Sequence, residues 1–445
     1  MHRDCLGNPL TLDDPASLAA VDDFVEGFIA SEARAVNVLA AAAQDTSPMV
    51  QAYAAAIHLF GESRDAPAHA RPFIERAQAG VARTTPREQT FIAAIGAWWA
   101  GDIDRAIALH EAQAREHPRD LASLKLGQYH LFNRGDSPGM LRIALSASAA
   151  ASDVSYLHGM LAFAWEQCHA LEQAEACARR ALDLRRKEPW AQHALAHVML
   201  TQGRLQEGHA FLADVSDTWV GLNSFMVSHN WWHQALFAIE LDRLDEALAL
   251  YDQRVWGVEK AYTQDQVNAV SLLARVELAG GDVGPRWDEL AGWLAHRTED
   301  QVLPFLDLQY LYGLARAQRP EADTLASHME RHAHRAGGAW HDVCLPAAQG
   351  LLAHARGDWS GALDGLARAL PRMTEIGGSH AQRDLFEQIH LDALLRAGRR
   401  SGAQHLLQQR LRAAPESLRL ARQARELYAV LGLAQATPVF VPPTC

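Results

Sequence analysis

Two pairs of histidines have the spacing of one helical turn. His193 and His197 form the first pair, and His229 and His233 form the second. Residues four apart lie on one face of an α-helix, so each pair would present two imidazoles side by side. Imidazole is an acid and a base near neutral pH, and in its neutral form it is a common zinc ligand. These four residues are therefore candidate catalytic residues.

Three interpretations of the pairs stay open on spacing alone. The histidines line a polar pocket for a small molecule, they bind a divalent metal such as zinc, or they are core residues hydrogen-bonded to backbone or carboxylate groups. The zincin motif HExxH is excluded, because Ala194 and Asn230 follow the first histidine of each pair. We predict no cofactor, and zinc held by the same four histidines is the minor alternative.

A second polar stretch follows the glycines at residues 377–378. Ser379 is a natural N-cap for a helix, and the next residues would form its first turn, where a carboxylate suits the helix dipole. Arg383 beside a helix start is a good place to hold a carboxylate or a phosphate. A capped helix start with a surface arginine is an equally supported alternative. The candidate substrate-binding residues here are His380, Gln382, Arg383 and Asp384.

Two acidic residues are candidate partners for these groups. Asp342 precedes a helix that begins near Pro346, so it would cap that helix, ligate a metal or orient a catalytic histidine, and capping is favoured. Asp307 lies in an otherwise apolar helical run, and a buried acid needs a partner. A histidine or Arg383 is the expected partner of Asp307, which otherwise faces solvent.

Trp190 and Trp232 flank the histidine pairs. Aromatic side chains beside polar groups line small-molecule pockets, although filling the interfaces between repeats is their more common use. The sequence contains no P-loop, no GxGxxG motif after a strand and no GxSxG motif. Nucleotide-binding and α/β-hydrolase enzymes of those kinds are therefore not expected.

The bulk composition limits the partners. The 445 residues include 41 basic and 53 acidic side chains, a net charge of −12, which argues against nucleic acid as a partner. We expect no secretory signal and no membrane span, because there is no apolar segment of the required length. Five cysteines without a CxxC motif indicate a reducing compartment, so the cytoplasm is the expected location.

Short turns recur along an alanine- and leucine-rich sequence that has apolar residues at helical spacing. From the turn at Gln202-Gly203 onward, the gaps between successive turns lie in the high thirties to about forty. Spacing in the thirties, with a helix on each side of a tight turn, indicates tetratricopeptide-type helix hairpins. The sequence therefore predicts an all-α fold, a right-handed α-α superhelix of such hairpins curled around a central pocket. The clearest turns are Gly101-Asp102, His169-Ala170, Gln202-Gly203, Asp242-Arg243, Gly281-Asp282, Arg319-Pro320, Gly357-Asp358 and Gly398-Arg399.

The expected domain organisation is one continuous array. Residues 1–90 would hold N-terminal repeats, residues 91–430 the rest of the superhelix, and residues 431–445 a loosely held tail. The first helix of each pair would line the concave side, and all four paired histidines fall on such helices. We place two helix pairs in 16–90 and further pairs at about 91–130, 157–188, 190–216, 228–258, 264–298, 303–335, 345–375 and 384–412, with one more helix after Pro415.

The polar motifs resemble those of the tetratricopeptide repeat protein 38 family. The matching segments are AQHALAH at 191–197, HNWWHQAL at 229–236, DVCLP at 342–346 and GGSHAQRDLF at 377–386, in the same order and at similar spacing. The resemblance covers about residues 15–430 and implies an α-helical repeat protein without an established activity. His380 stands where the family would carry a smaller amide, and Gln309 where it would carry a histidine.

The sequence thus supports two functions of different kinds. The first is a concave pocket, lined by histidine, arginine and aspartate, that binds a small anionic molecule and carries out general acid–base chemistry such as hydrolysis. The second is a non-catalytic scaffold that binds a partner peptide in its groove. The expected partner is accordingly a small molecule or a protein, with a homodimer as a further alternative.

Overall fold

The structure is a computed structural model, and it describes residues 2–433. The described residues form 23 α-helices, and the only regular strands among them are His2–Arg3 and Pro9–Leu10, which pair antiparallel. This confirms the predicted all-α helical repeat fold. Among the described residues, no helix is both long and apolar enough to cross a membrane. Most of the predicted tail, residues 434–445, lies outside the described residues.

The described chain falls into two compact units. Among the described residues, unit 1 comprises 2–195 and 217–226, and unit 2 comprises 196–216 and 227–433. The subdivision expected near residue 90 falls within unit 1. The division passes through two helices, α11 (Pro189–Thr201) and α13 (Ser224–Glu240).

Unit 1 consists of five helix hairpins and the first part of α11. Short 3-10 segments at Pro15–Ser17, Ala33–Asn37 and Val81–Arg83 join some of these helices. The helices are α1 (Leu18–Ile29), α2 (Val38–Ala42), α3 (Pro48–Leu59), α4 (Ala66–Ala79), α5 (Pro86–Trp99), α6 (Ile103–Glu116), α7 (Leu121–Asn133), α8 (Ser137–Leu145), α9 (Ser155–Gln167) and α10 (Leu171–Leu184).

Unit 2 continues the pattern. It includes 3-10 segments at Ala295–Arg297 and Leu370–Ile376 and π-helical turns at Tyr251–Val255 and Trp340–Cys344, and the 3-10 segment Ser216–Trp219 begins at its boundary. The helices are α12 (Leu205–Val215), α14 (Leu244–Leu250), α15 (Thr263–Leu278), α16 (Arg286–Leu294), α17 (Pro304–Arg316), α18 (Glu321–Ala336), α19 (Leu345–Ala355), α20 (Trp359–Ala369), α21 (His380–Arg396), α22 (Arg400–Ala413) and α23 (Leu418–Val430).

The hairpin turns lie where the sequence predicts them. Gly101 and Gly357 adopt φ angles of 77°, a left-handed conformation that glycine takes without a Cβ clash. The next residue in each case, Asp102 or Asp358, accepts a hydrogen bond from a backbone N–H of the second helix and so caps it. A tight turn followed by a capped helix start therefore defines each of these hairpins.

One hairpin was not predicted. The expected pair over residues 91–130 is wrong, because α5 already begins at Pro86 and α6 ends at Glu116. Residues 121–145 form a separate hairpin, α7 and α8, with its turn at Gly135 (φ 68°) and its N-cap at Asp136. The second helix has only nine residues, so its apolar period is too short to recognise in the sequence.

The first helix of each hairpin in unit 2 is buried on several faces. Every residue of α17 from Pro304 to Ala315 is buried, whereas its hairpin partner α18 buries only a stripe of four residues. Helix α15 is buried from Val267 to Val276 and packs against both α17 and α21. Polar side chains on these inner helices therefore lie away from water and must find partners inside the protein.

Candidate functional site

Helices α11 and α13 bring three of the paired histidines of unit 2 together. The ring centroids of His197 and His233 are 4.5 Å apart, and those of His229 and His233 are 4.9 Å apart. One ring nitrogen from each residue lies within 4.8 Å of the others. All three side chains are buried, with at most 3% exposed. We call His197, His229 and His233 the histidine site.

His193 belongs to unit 1 and lies one turn before His197 on α11. Its ring packs against Trp190 (5.4 Å between centroids) and Phe163 (5.2 Å). Trp190 also donates a hydrogen bond to the hydroxyl of Ser31 (3.0 Å) and lies 3.9 Å below the ammonium of Lys125. Within unit 1, Trp190 therefore has the contacts of a packing residue.

A chain of hydrogen bonds ends on the imidazole of His229. Nδ1 of His229 lies 2.9 Å from Oδ1 of Asn268, and Nδ2 of Asn268 donates to the hydroxyl of Ser228 (3.1 Å). The hydroxyl of Ser228 donates in turn to the carboxylate of Asp265. Asp265 and Asn268 lie on inner helix α15, three residues apart, so their side chains leave the same face.

The amide of Asn268 determines which ring nitrogen of His229 carries the proton. Its Nδ2 donates to the hydroxyl of Ser228, which in turn donates to Asp265, so its Oδ1 is the atom that faces Nδ1 of His229. An amide oxygen only accepts hydrogen bonds. The amide oxygen of Asn268 is then the atom that accepts from His229, so Nδ1 of His229 carries the proton. Nε2 of His229 consequently carries the lone pair.

Burial keeps His229 neutral. Removal from water lowers the pKa of His229 to about 3, although its hydrogen bond to Asn268 acts in the opposite direction and the nearby His197 adds to the lowering. At neutral pH this imidazole therefore offers a lone pair and carries no charge. A neutral imidazole of this kind accepts a proton or binds a metal ion.

Trp232 connects His229 with an arginine that the sequence analysis did not single out. The indole is fully buried and stacks on His229, with 5.0 Å between centroids and 10° between planes. The guanidinium of Arg275, on α15, lies 5.4 Å from the same indole ring. Arg275 donates to the hydroxyl of Ser271 (2.8 Å) and the carbonyl of Ala381 (2.5 Å). Burial lowers the pKa of Arg275 to about 10.

His380 begins α21 and contacts the histidine site. Its ring centroid lies 5.4 Å from that of His197, and its Nε2 is 3.1 Å from the hydroxyl of Thr201. Ser379 caps α21 as predicted, and Gln382 returns a side-chain hydrogen bond to the backbone N–H of Ser379. Gln382 thus helps to cap α21, whereas His380 contacts the imidazole of His197.

The two charged residues after this cap are engaged within the protein. Arg383 donates to the carbonyl of Gly377 (3.2 Å) and to the carbonyl of Gly378. Asp384 forms an ion pair with Arg410 (2.7 Å) and accepts a hydrogen bond from Gln388 (2.6 Å). Despite burial, the charges of Arg410 and Arg275 hold the pKa of Asp384 well below its usual range. The substrate-binding roles of both residues stay predictions.

Two expected contacts of acidic residues are corrected. Asp342 is exposed within a π-helical turn, and it pairs with His341 (2.9 Å) and Arg372 (3.2 Å), not with a paired histidine. It does not cap α19 either, because the N-cap position is Cys344. The turn continues directly into the helix, which leaves the carboxylate on the surface.

Asp307 is fully buried on α17, but the expected histidine or Arg383 does not hydrogen-bond to either of its carboxylate oxygens. Burial raises the pKa of Asp307 well above its usual range, and the nearby Asp300 raises it further. Burial of Asp307 therefore disfavours its charged form, and Asp307 does not orient an imidazole.

The sequence analysis missed the residues that support His229. Asp265, Asn268 and Arg275 occupy one inner helix at intervals of three and seven residues, which places them on one face. This spacing of polar residues on a helix that is buried along most of its length was a usable signal. Ser228, directly before the HNxWH motif, carried no signal of its own.

Comparison with known proteins identifies helical repeat proteins at low similarity. No protein-family model matches the chain. A human IFIT1 dimer with m7Gppp-AAAA aligns over 98% of this chain and 95% of that chain, with 11% identity and a TM-score of 0.43. The TPR domain of P58(IPK) aligns over 79% and 99%, with 11% identity and a TM-score of 0.23. The repeat fold therefore rests on the helices of this chain itself.

Proposed function

We propose that the histidine site of unit 2 binds a small molecule with an anionic group and carries out general acid–base chemistry such as hydrolysis. The observation that carries the proposal is the directed chain from Asp265 through Ser228 and Asn268 to His229. Packing alone does not require four polar groups in series within a buried helix interface. A chain of this kind sets the tautomer and the orientation of an imidazole, as acid–base catalysis requires.

The imidazoles supply a base and an acid in close proximity. His229 presents the Nε2 lone pair that would take a proton from a water molecule, and its burial keeps it neutral until it does so. His233, with its ring centroid 4.9 Å from that of His229, is placed to pass a proton to a leaving group. The low dielectric of the buried surroundings strengthens the electrostatic interactions of both imidazoles with the reacting groups.

Arg275 is the cation best placed for the anionic group. Its nearest carboxylate, that of Asp384, is 3.8 Å away. The buried arginines Arg410 and Arg419 instead have carboxylates at 2.7 and 2.6 Å. The charge of Arg275 is therefore less completely neutralised, and a carboxylate or phosphate would find its counter-charge there.

The test compares variants of the site with a matched surface histidine. Inorganic phosphate is the binding probe, read as a shift in melting temperature, and p-nitrophenyl acetate is the hydrolysis probe. We expect His229→Gln to lose about 100-fold in hydrolysis, the lower range for general acid–base catalysis. His405→Gln, on the exposed face of α22, should behave as the unaltered protein. Circular dichroism establishes that each variant is folded.

Equal activity of folded His229→Gln and the unaltered protein would contradict acid–base chemistry at this site. The repeat architecture also suits a scaffold that binds a peptide. That function would replace the present proposal if neither probe responds and a protein partner co-purifies at one-to-one stoichiometry.

A further inference from the structure

We infer that the histidine site is a metal centre, in which His197, His229 and His233 hold one divalent transition-metal ion, with zinc as the expected metal and a coordination position left for water or substrate. The inference rests on the proposed function, because it concerns the same three side chains. The inference adds the metal ion as the group that would activate a water molecule for the proposed hydrolysis. The argument uses the donor atoms, their separation and their supporting contacts.

The donor set selects the class of metal. All three side chains offer imidazole nitrogen, and such ligands suit zinc, copper, nickel and cobalt, whereas calcium and magnesium prefer oxygen. Three histidines with an open fourth position form a known arrangement for catalytic zinc. A site made of His197, His229 and His233 would therefore both bind the ion and leave it reactive.

The separations are close to those of a metal site. Nitrogens bound to zinc at about 2.0–2.1 Å in a tetrahedron lie about 3.3 Å from one another. The three ring nitrogens already lie within 4.8 Å of each other while buried between the same helices. Small side-chain rotations therefore suffice to place all three on one ion, and no helix has to move.

The supporting contacts have the form found around metal ligands. A metal-bound histidine usually donates its second ring N–H to a carboxylate, a carbonyl or a similar acceptor, which orients the ring. His229 donates from Nδ1 to Asn268, and the Ser228–Asp265 pair behind it holds that amide in place. Nε2 of His229 is thereby the nitrogen that would bind the ion.

A metal ion at this site would also suit the anionic small molecule of the proposed function. Three neutral imidazoles leave the full charge of a divalent cation in place, since no carboxylate belongs to the set. The ion would bind a carboxylate or phosphate oxygen and lower the pKa of a coordinated water.

The experiment titrates metal-free protein with ions alone. The full chain is treated with EDTA, dialysed and titrated with zinc chloride by calorimetry and with cobalt chloride by absorption spectroscopy. We expect one zinc per chain and the intense visible bands of tetrahedral cobalt. His197→Gln, His229→Gln and His233→Gln should each weaken zinc binding at least 100-fold, and Asn268→Leu should weaken it by about 10–100-fold. His110→Gln, a buried histidine of unit 1, is the matched control.

The outcomes separate this inference from the proposed function. No zinc binding by the folded protein, or binding that all three glutamine variants retain, overturns the metal centre. If metal-free protein still hydrolyses p-nitrophenyl acetate and His229→Gln abolishes that activity, the histidines act directly and the metal inference fails alone. If zinc binds with the expected variant effects but neither phosphate nor ester responds, the metal centre stands and the proposed function fails.

Discussion

Both units bury histidines that contact one another, but the two clusters differ in what determines their protons. In unit 1 the rings of His110 and His130 stack at 5.8 Å, and Nδ1 of His110 lies 2.8 Å from the hydroxyl of Ser123. A hydroxyl both donates and accepts, so this contact is compatible with either tautomer of His110. In unit 2 Nδ1 of His229 faces the amide oxygen of Asn268, which only accepts and therefore permits one tautomer.

The surroundings of the two clusters differ as well. His130 packs against Trp98 and Tyr129, at 5.0 and 5.3 Å between ring centroids, and burial dominates the lowered pKa values of His110 and His130. These are properties of core histidines. Burial and a lowered pKa therefore do not identify a functional histidine. Directed hydrogen bonding and a third converging imidazole distinguish the histidine site of unit 2.

The largest expected effect is acid destabilisation in both units. The pKa of His110 and of His229 is about 3 in the folded protein, below the ordinary 6.5, so the unfolded state binds more protons between these values. Stability is complete above pH 6.5 and falls as the pH drops towards 3, by on the order of 4 kcal/mol for each histidine. Urea unfolding at a series of pH values measures this.

His110→Gln and His229→Gln should each make the dependence of the unfolding free energy on pH less steep over that window. Addition of zinc chloride should distinguish the two histidine clusters further. Zinc should shift acid unfolding of the unaltered protein and of His110→Gln to lower pH, but not that of His229→Gln. An equal zinc shift in all three proteins would place the ion elsewhere.

The next effect concerns the residues behind each imidazole. Asn268→Leu removes the amide oxygen that accepts from Nδ1–H of His229 and the amide N–H that donates to the hydroxyl of Ser228, which still donates to Asp265. Each of the two lost hydrogen bonds costs about 1–3 kcal/mol. Ser123→Ala should cost about 1 kcal/mol, because it removes a single contact of His110. If urea unfolding shows the same loss of unfolding free energy for Asn268→Leu and Ser123→Ala, the hydrogen bonding behind His229 and His110 would not differ as we predict.

A third prediction separates two arginines of unit 2. Arg275→Met should lose the melting shift caused by inorganic phosphate, because the least neutralised buried cation next to Trp232 is removed. Arg383→Met should keep that shift, because this guanidinium already serves two backbone carbonyls. Differential scanning fluorimetry with and without phosphate decides between them. If Arg383→Met loses the phosphate-induced melting shift and Arg275→Met keeps it, the substrate-binding role predicted for Arg383 from the sequence would be supported instead.

The smallest effect tests Asp307, an acid outside the histidine site. Its raised pKa means that the fold favours the protonated form, so stability is greatest below the ordinary pKa of aspartate and declines as the pH rises through the raised value. Asp307→Asn should remove this decline and raise the melting temperature at neutral pH. An unchanged or lower melting temperature would mean that the carboxylate is charged and paired.

The helices were predictable from the sequence to a greater degree than the site. Turn chemistry is local, so Gly101-Asp102 and Gly357-Asp358 mark their hairpins without tertiary information. The pairing of His197 with His233 was inferred from helical spacing and from the expected inner position of both helices. Its geometry depends on the packing of α11 against α13, which no local pattern specifies.

The misplaced residues show the same limit. Asp342 was a candidate site residue for which helix capping was favoured, but a π-helical turn carries it to the surface, where it neither caps α19 nor contacts the two histidine pairs. The sequence analysis did not single out Arg275, because its contact with Trp232 arises only from the packing of α13 on α15. Contacts between helices far apart in sequence are set by the whole core, so single-residue patterns do not reveal them.

The protonation state of His229 tests the central claim most directly. Two-bond nitrogen–proton NMR spectra of the full chain, labelled with nitrogen-15 histidine, report which ring nitrogen carries the proton, and His229→Gln assigns the signal by difference. We predict the proton on Nδ1 and an unprotonated Nε2 at neutral pH, with the Nε2 signal shifting when zinc is added. A proton on Nε2 of His229 would contradict the directed chain from Asp265, and with it both the acid–base site and the metal centre.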